Sequence, residues 1–460
     1  LQLAIGDGNV TLNIDEPGDY DFNGEIRLYD YTKLYWGEGT AHSKEDDYHY
    51  CYTNEGAYTG EYNYGIEIHG LTLKINGNTN ILDLPIYGLR GQMSFFNIKN
   101  SILSTFVCRD IESPQYCIEV VNWENMLFDS LILEGQKDGL VFLNGHTGIV
   151  RDSYIETEDD CFFLGGVAYP TTQVESMGNV RKIWFINVNY VDSLKTKSAR
   201  GCFVYNGSWA DWAADSIYKT GDMCLNASNI YQCNNDAGFS DTAIVAPIHS
   251  SGSVVSGGND SISWHQIDTG NYYAVNVDSI FFDSCKFYSP SAFLNFQNTN
   301  SIYTRNIYPG TEDLAKSSDF FITNSEFSNT IALSVGTTIL NVEFTNCTFD
   351  SSDYFIVNDV SGLSVDSLYV KSENNTFTND FDPFYIRANS KKVVLESIND
   401  NYSNASFTLI TNPPGSMRVI DNKTLPFSTL ANLSPLTGDI CTDLIDTYEW
   451  DGDSWEIYVP

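Results

Sequence analysis

The 460-residue sequence is short of positive charge, of helical patterning and of long apolar runs. Lys and Arg number 24 against 60 Asp and Glu, a formal net charge of −36. A field of that sign repels phosphodiester backbones and anionic headgroups, so neither nucleic acid nor membrane is an expected partner. No apolar run reaches the roughly 18 residues that a spanning helix needs. No charged segment followed by an apolar stretch stands at the N-terminus, so no secretion signal is visible. The chain starts on Leu1, as a processed or truncated piece of a longer protein would. Ten cysteines are spread without a CxxC, and six histidines are scattered, which argues against a structural zinc site. Buried thiols are the expectation, with one or two disulfides left open.

In place of helical periodicity stand short runs of Val, Ile, Phe and Tyr separated by Asn, Asp, Gly and Ser. One pattern returns: an apolar residue, any residue, then Asn, Asp or Ser, and apolar residues again. It occurs at Ile98–Leu103, Phe128–Leu133, Val150–Ile155, Phe185–Tyr190, Phe282–Phe287, Ile322–Phe327 and Phe344–Phe349. Leu133 to Ile155 is a step of 22 residues, and so is Phe327 to Phe349. A period near 22 with a small polar residue at a fixed place describes an all-β solenoid, the parallel β-helix. Each repeat is then one coil stacked on the next, and larger steps are loops projecting from single coils. A sandwich would show strands every 8–12 residues or so without this register, and a propeller repeat is about twice as long.

The repeat is lost between Phe203 and Phe281. A Gly221-Asp222 turn, apolar runs around Tyr218 and Tyr231, and Trp264 suggest a small β module inserted in one coil. The expected organisation is a first β-helical part over 1–208 carrying the site, the module over 209–270, a second β-helical part over 271–430 and a β cap over 431–460. A solenoid needs such caps to close its exposed edges. Tyr and Trp, 29 and 8 in number, pair an apolar face with a polar tip and stack on sugar rings. Trp209 and Trp212, ahead of the module's strands, are the expected surface residues, and Tyr231 and Trp264 the expected module core.

Two segments one coil apart carry the chemistry: Gln136-Lys137-Asp138-Gly139 and Glu158-Asp159-Asp160-Cys161. The 22-residue step from Asp138 to Asp160 stacks them on neighbouring strands, roughly 5 Å apart at the backbone. Asp159 would face the other way in a straight strand, so all three share a groove only if the chain bends there. Carboxylates this close raise at least one pKa, leaving an acid that keeps its proton beside ionised neighbours. The residues alone leave an acidic turn and a calcium site open; no other cofactor is expected. Setting Cys202 on Cys161 places Arg200 above Asp159.

This stretch, about 30 residues long, resembles the polygalacturonase-type glycoside hydrolases, which are right-handed β-helices. Asp138-Gly139 matches the end of their Asn-Thr-Asp-Gly, and Asp159-Asp160-Cys161 matches their Asp-Asp-Cys. Gln136-Lys137 stands where the family has Asn-Thr, and no His-Gly or Arg-x-Lys follows. The resemblance implies an inverting hydrolase, with Asp159 as general acid and Asp138 and Asp160 activating water across carboxyls roughly 6.5–9.5 Å apart. Glu158, Lys195, Lys197 and Arg200, with the two tryptophans, are the expected substrate contacts. The opening segments Asn9–Ile14, Pro17–Tyr20 and Leu34–Gly39, and then Gly65–Leu73, resemble the first coils of bacteriophage tailspikes of the pectate-lyase-like superfamily. That resemblance implies a homotrimer, on a virion tail or otherwise extracellular, that binds and depolymerises a polysaccharide. A polysaccharide lyase using Lys195, Lys197 and Arg200 beside an Asp-bound calcium is one alternative. A receptor-binding fibre without catalysis is another.

Overall fold

Successive strands pair in parallel at offsets that track the repeat. In a computed structural model, Gly91–Ser104, Tyr116–Asp129, Leu140–Thr157 and Val180–Val191 lie side by side, each the same part of a successive coil. The structure describes residues 1–21, 24–44, 51–75, 91–110, 115–165, 179–192, 199–205, 208–209, 216–218, 223–226, 229–233, 241–243, 246, 248, 253–255, 263–269, 277–288, 292–297, 307–308, 318–328, 331–335, 339–350, 354–358, 367–378, 382–386, 393–401, 417–421, 440–442, 447–450 and 455–457. Ile118 pairs with Leu140 and Ser318 with Leu340, both offsets of 22. Ile98 pairs with Trp123 at 25, and Ile280 with Phe320 at 40. The shortest step is the bare coil, and any excess is loop. Parallel crossovers take the right hand. The fold is a right-handed parallel β-helix.

The small polar residue of the repeat is a backbone corner. Ser130, Asp152, Asn187, Ser284, Asn324 and Asn346 all have φ between 51° and 57°, the left-handed region that Asn and Asp enter more readily than most residues. They stack in register: the Asn187 amide donates to Asp152 Oδ1 at 2.7 Å, and that of Asn346 to Asn324 Oδ1 at 3.5 Å. One instance of the pattern belongs elsewhere. Asn100 stacks on Asn125 at 2.8 Å, whereas Leu103 pairs with Phe128, which sets Thr105 above Ser130. The coils of Asn100 and Asn125 carry further left-handed residues, Asn97 and Thr105 in one and Asn122 and Ser130 in the other, and pattern alone does not separate these corners.

Inside, Phe287, Phe327, Phe349 and Phe377 stack nearly parallel, with ring centroids 4.9–5.9 Å apart. Among the described residues eight cysteines are buried, seven of them inside the coils, as expected of thiols there, and Cys233 in a separate sheet. Val180 pairs directly with Val277, so the coil ladder closes across the intervening segment. Within that segment Met223–Asn226, Asn229–Cys233, Ser253–Val255 and Ser263–Thr269 form a separate antiparallel sheet, with Tyr231 and Trp264 buried. At the far end, Ile440–Thr442 still pairs in parallel with Met417–Asp421. Thr447–Trp450 and Trp455–Ile457 then add antiparallel strands at that edge.

Candidate active site

Asp138 and Asp160 stand where their coils turn. In each coil a strand ends, at Gly135 or Thr157, a short bend follows, and the next strand opens at Leu140 or Phe162. Leu140 pairs with Phe162, and the Gly139 N–H donates to the Asp160 carbonyl at 2.9 Å, so the two aspartates are neighbours across the ladder. The bend brings Asp159 to join them: one carboxylate oxygen of each acid lies within 4.8 Å of the others. Gly139 permits the approach. A Cβ there would lie 2.7 Å from the Cys161 carbonyl oxygen and 2.8 Å from Ile155 Cγ2. The Tyr190 hydroxyl, from the next coil, donates to the carbonyls of Thr157 at 3.3 Å and Asp159 at 3.2 Å, and so pins the bend.

The three acids have unequal surroundings. Asp138 and Asp160 are only 4% and 3% exposed, while Asp159 is half-buried with the Lys137 ammonium on its carboxylate. Asp138 Oδ1 accepts the Asp160 N–H at 3.3 Å. Arg200 Nε lies 3.3 Å from Asp160 Oδ1, a charge contact without hydrogen-bond geometry. Burial pushes the Asp138 carboxyl up to about 7; the Asp159 charge adds to the rise, and Lys137 and Arg200 oppose it. Burial also holds Asp160 well above the usual carboxylate range, against the pull of Arg200. Three carboxylates facing one lysine and one arginine leave one negative charge when all are ionised. A single proton neutralises the cluster, and a low-dielectric setting favours that composition.

As a calcium site the cluster is a poor fit. It offers three carboxylates, where Ca²⁺ takes about 6–8 oxygens, and Lys137 and Arg200 already lie against two of them.

Several expectations change on contact with the structure. The open groove shared by all three acids is not formed: only Asp159 reaches toward solvent. Strand alternation is the reason, because Asp138 shares the inward face of Leu140 and Phe142, and Asp160 that of Phe162 and Leu164. Arg200 sits above Asp160 rather than Asp159, because Cys202 pairs with Phe162 and not with Cys161. Glu158 is half-buried at the bend, its N–H donating to the Gly135 carbonyl at 3.0 Å. Trp209 lies in the short strand Ser208–Trp209, antiparallel to Ile307–Tyr308 and apart from the coil ladder. Lys195, Lys197 and Trp212 fall outside the described residues. Lys137 was not singled out by any motif, yet its 22-residue offset from Asp159 is the coil period, and that spacing identifies the pair.

No protein-family model matches the chain, and no curated protein matches it in sequence. Among solved structures it is similar to the A-module of a mannuronan C-5 epimerase of Azotobacter vinelandii, at 11% identity and a TM-score of 0.44, covering 90% of this chain and 91% of that one. It is similar to PfbA, a surface adhesin of Streptococcus pneumoniae, at 11% identity and a TM-score of 0.49, covering 100% and 94%. It is also similar to the catalytic unit of a GH87 α-1,3-glucanase of Streptomyces thermodiastaticus, at 9% identity and a TM-score of 0.46, covering 89% of this chain and 61% of that one.

Proposed function

We propose that the chain is a glycoside hydrolase that binds an extracellular polysaccharide and cleaves it at Asp138, Asp159 and Asp160. The observation that carries this reading is a carboxyl held near 7 by burial beside a partly exposed carboxylate paired to lysine, all three acids within 4.8 Å. Like groups whose surroundings push them apart supply an acid and a base at one pH. In this reading Asp159 meets the glycosidic oxygen and passes on a proton drawn from Asp138 behind it. Water adds to the anomeric carbon as that bond breaks, and its released proton returns to the cluster. Lys137 steadies the carboxylate left on Asp159, and Arg200 lies against the buried Asp160 carboxyl.

Inverting enzymes hold the water between carboxyls roughly 6.5–9.5 Å apart. One oxygen of each acid lies within 4.8 Å of the others, and the partly exposed Asp159 puts the water for an inverting attack at the mouth of the cluster. The finer reading, a virion-tail depolymerase assembled as a homotrimer, is supported by the tailspike resemblance of the opening coils. Light scattering should give three chains per particle, and a monomer would contradict it.

Incubation with capsular and other extracellular polysaccharides, followed by analysis of product ends, tests the reaction class. New reducing ends without new ultraviolet absorbance are expected. Unsaturated ends would instead establish a lyase, and binding without cleavage a receptor-binding fibre.

A further inference from the structure

A second polar site lies one face away from the acids. The strand Leu140–Thr157 turns at Asn144, whose φ is 43°, and beyond the turn a cleft of about 340 Å³ opens. Its walls include Tyr62, Lys99, Glu124, His146 and Arg181. The last four are successive register partners on four neighbouring coils, a ladder of ionisable side chains.

The ladder is not balanced along its length. Glu124 pairs with Lys99 at 2.9 Å, and Lys99 also lies 4.1 Å over the Tyr62 ring, so that end is neutral. Arg181 has Asp278 as its next register partner, but no ion pair joins them; Asp278 accepts from the Ser279 hydroxyl at 2.9 Å. Among the described residues, then, the other end presents a guanidinium with no carboxylate on it, beside the His146 imidazole. Asn122 Oδ1 accepts from the Tyr62 hydroxyl at 2.9 Å and from the Asn144 amide at 3.4 Å. The amide wall is held in place before any ligand arrives, which lowers the ordering cost of binding.

We propose that this cleft binds an anionic sugar unit, carboxylated or sulfated, on the Arg181 guanidinium. The planar fork of arginine matches a carboxylate or sulfate with two parallel hydrogen bonds, and the asparagine amides can both donate to and accept from hydroxyls. That the ligand is anionic rests on the cleft alone; that it is a saccharide rests on the function proposed above. The overall charge of −36 does not prevent this, because at physiological salt screening acts within about 8 Å and the local guanidinium decides.

Calorimetry with oligomers of equal length tests it: an oligogalacturonate, a sulfated galactan oligomer and a neutral galactan oligomer. At least one anionic oligomer should bind about tenfold or more tightly than the neutral one, and the two anionic arms tell carboxylate from sulfate. Arg181→Gln should weaken that binding by about tenfold, the scale of a lost charge-assisted pair. Lys182→Gln removes the same charge from the adjacent exposed residue, which is not part of the cleft wall, and should leave binding unchanged. Equal affinity for the neutral oligomer, absence of binding by either anion, or equal losses in the two variants would overturn the proposal. Binding is read here without cleavage, so Arg181-dependent binding by a chain that cuts nothing would sink the hydrolase and leave this site standing.

Discussion

Asp138 shows how one strand parity sets both chemistry and stability. It points inward with Leu140 and Phe142, and burial raises its carboxyl from 3.8 to about 7. The folded chain therefore holds a proton that the unfolded chain has lost between those values. The stability this proton confers is complete below about pH 4 and is lost as pH rises through about 7, on the order of 4 kcal/mol in all. Asp138→Asn removes the titration while keeping an oxygen for the Asp160 N–H. The variant should melt at a higher temperature than the native chain at pH 8, show little difference at pH 4, and lose cleavage. Equal shifts at both pH values would show that Asp138 does not carry this proton. Lys137 opposes the rise at Asp138, so Lys137→Met should move the alkaline limb of the pH–rate profile upward. A limb that stays put would mean that the working proton sits elsewhere.

At the scale of the element, the site is a pair of identical bends stacked one coil apart. Gly139 lets them touch, and Gly139→Ala would drive a methyl group into the Cys161 carbonyl and Ile155. Overpacking of this kind costs about 1–3 kcal/mol and should part Asp138 from Asp160. The denaturation midpoint should fall and cleavage should drop with it; a variant unchanged in both would show that the close approach is dispensable. The stacking of Asp138 on Asp160 was legible in the sequence, because a repeat period is a property of the backbone and survives changes of side chain. Which way the acids face was less so. The bend was anticipated, but the inward parity that continues through it buries two of the three. The placement of Arg200 slipped by one residue for a related reason: a cysteine matched on a cysteine is a weaker guide to register than the backbone pairing of Phe162 with Cys202.

Across the whole molecule, each coil rests only on its neighbours, so loops and extra strands can be added to one coil without disturbing the rest. The segment between Tyr205 and Val277 illustrates this, since the strands Val180–Val191 and Arg200–Tyr205 before it still pair with Val277–Asp283 and Ala292–Gln297 after it. The sequence marked that interruption by the loss of its repeat. It could not mark the cleft at Arg181, whose parts come from coils separated by loops of unequal length. Lys99, Glu124, His146 and Arg181 follow one another at steps of 25, 22 and 35 residues, so no fixed spacing reveals them.

In the proposed reaction Asp159 is the carboxylate presented to a polysaccharide, with Asp138 and Asp160 behind it. The most direct measurement compares the native chain with Asp159→Asn on a polymer that the native chain cleaves, following new chain ends and binding in parallel. Cleavage should be abolished while binding to the intact polymer persists. Undiminished cleavage by the variant would contradict the account.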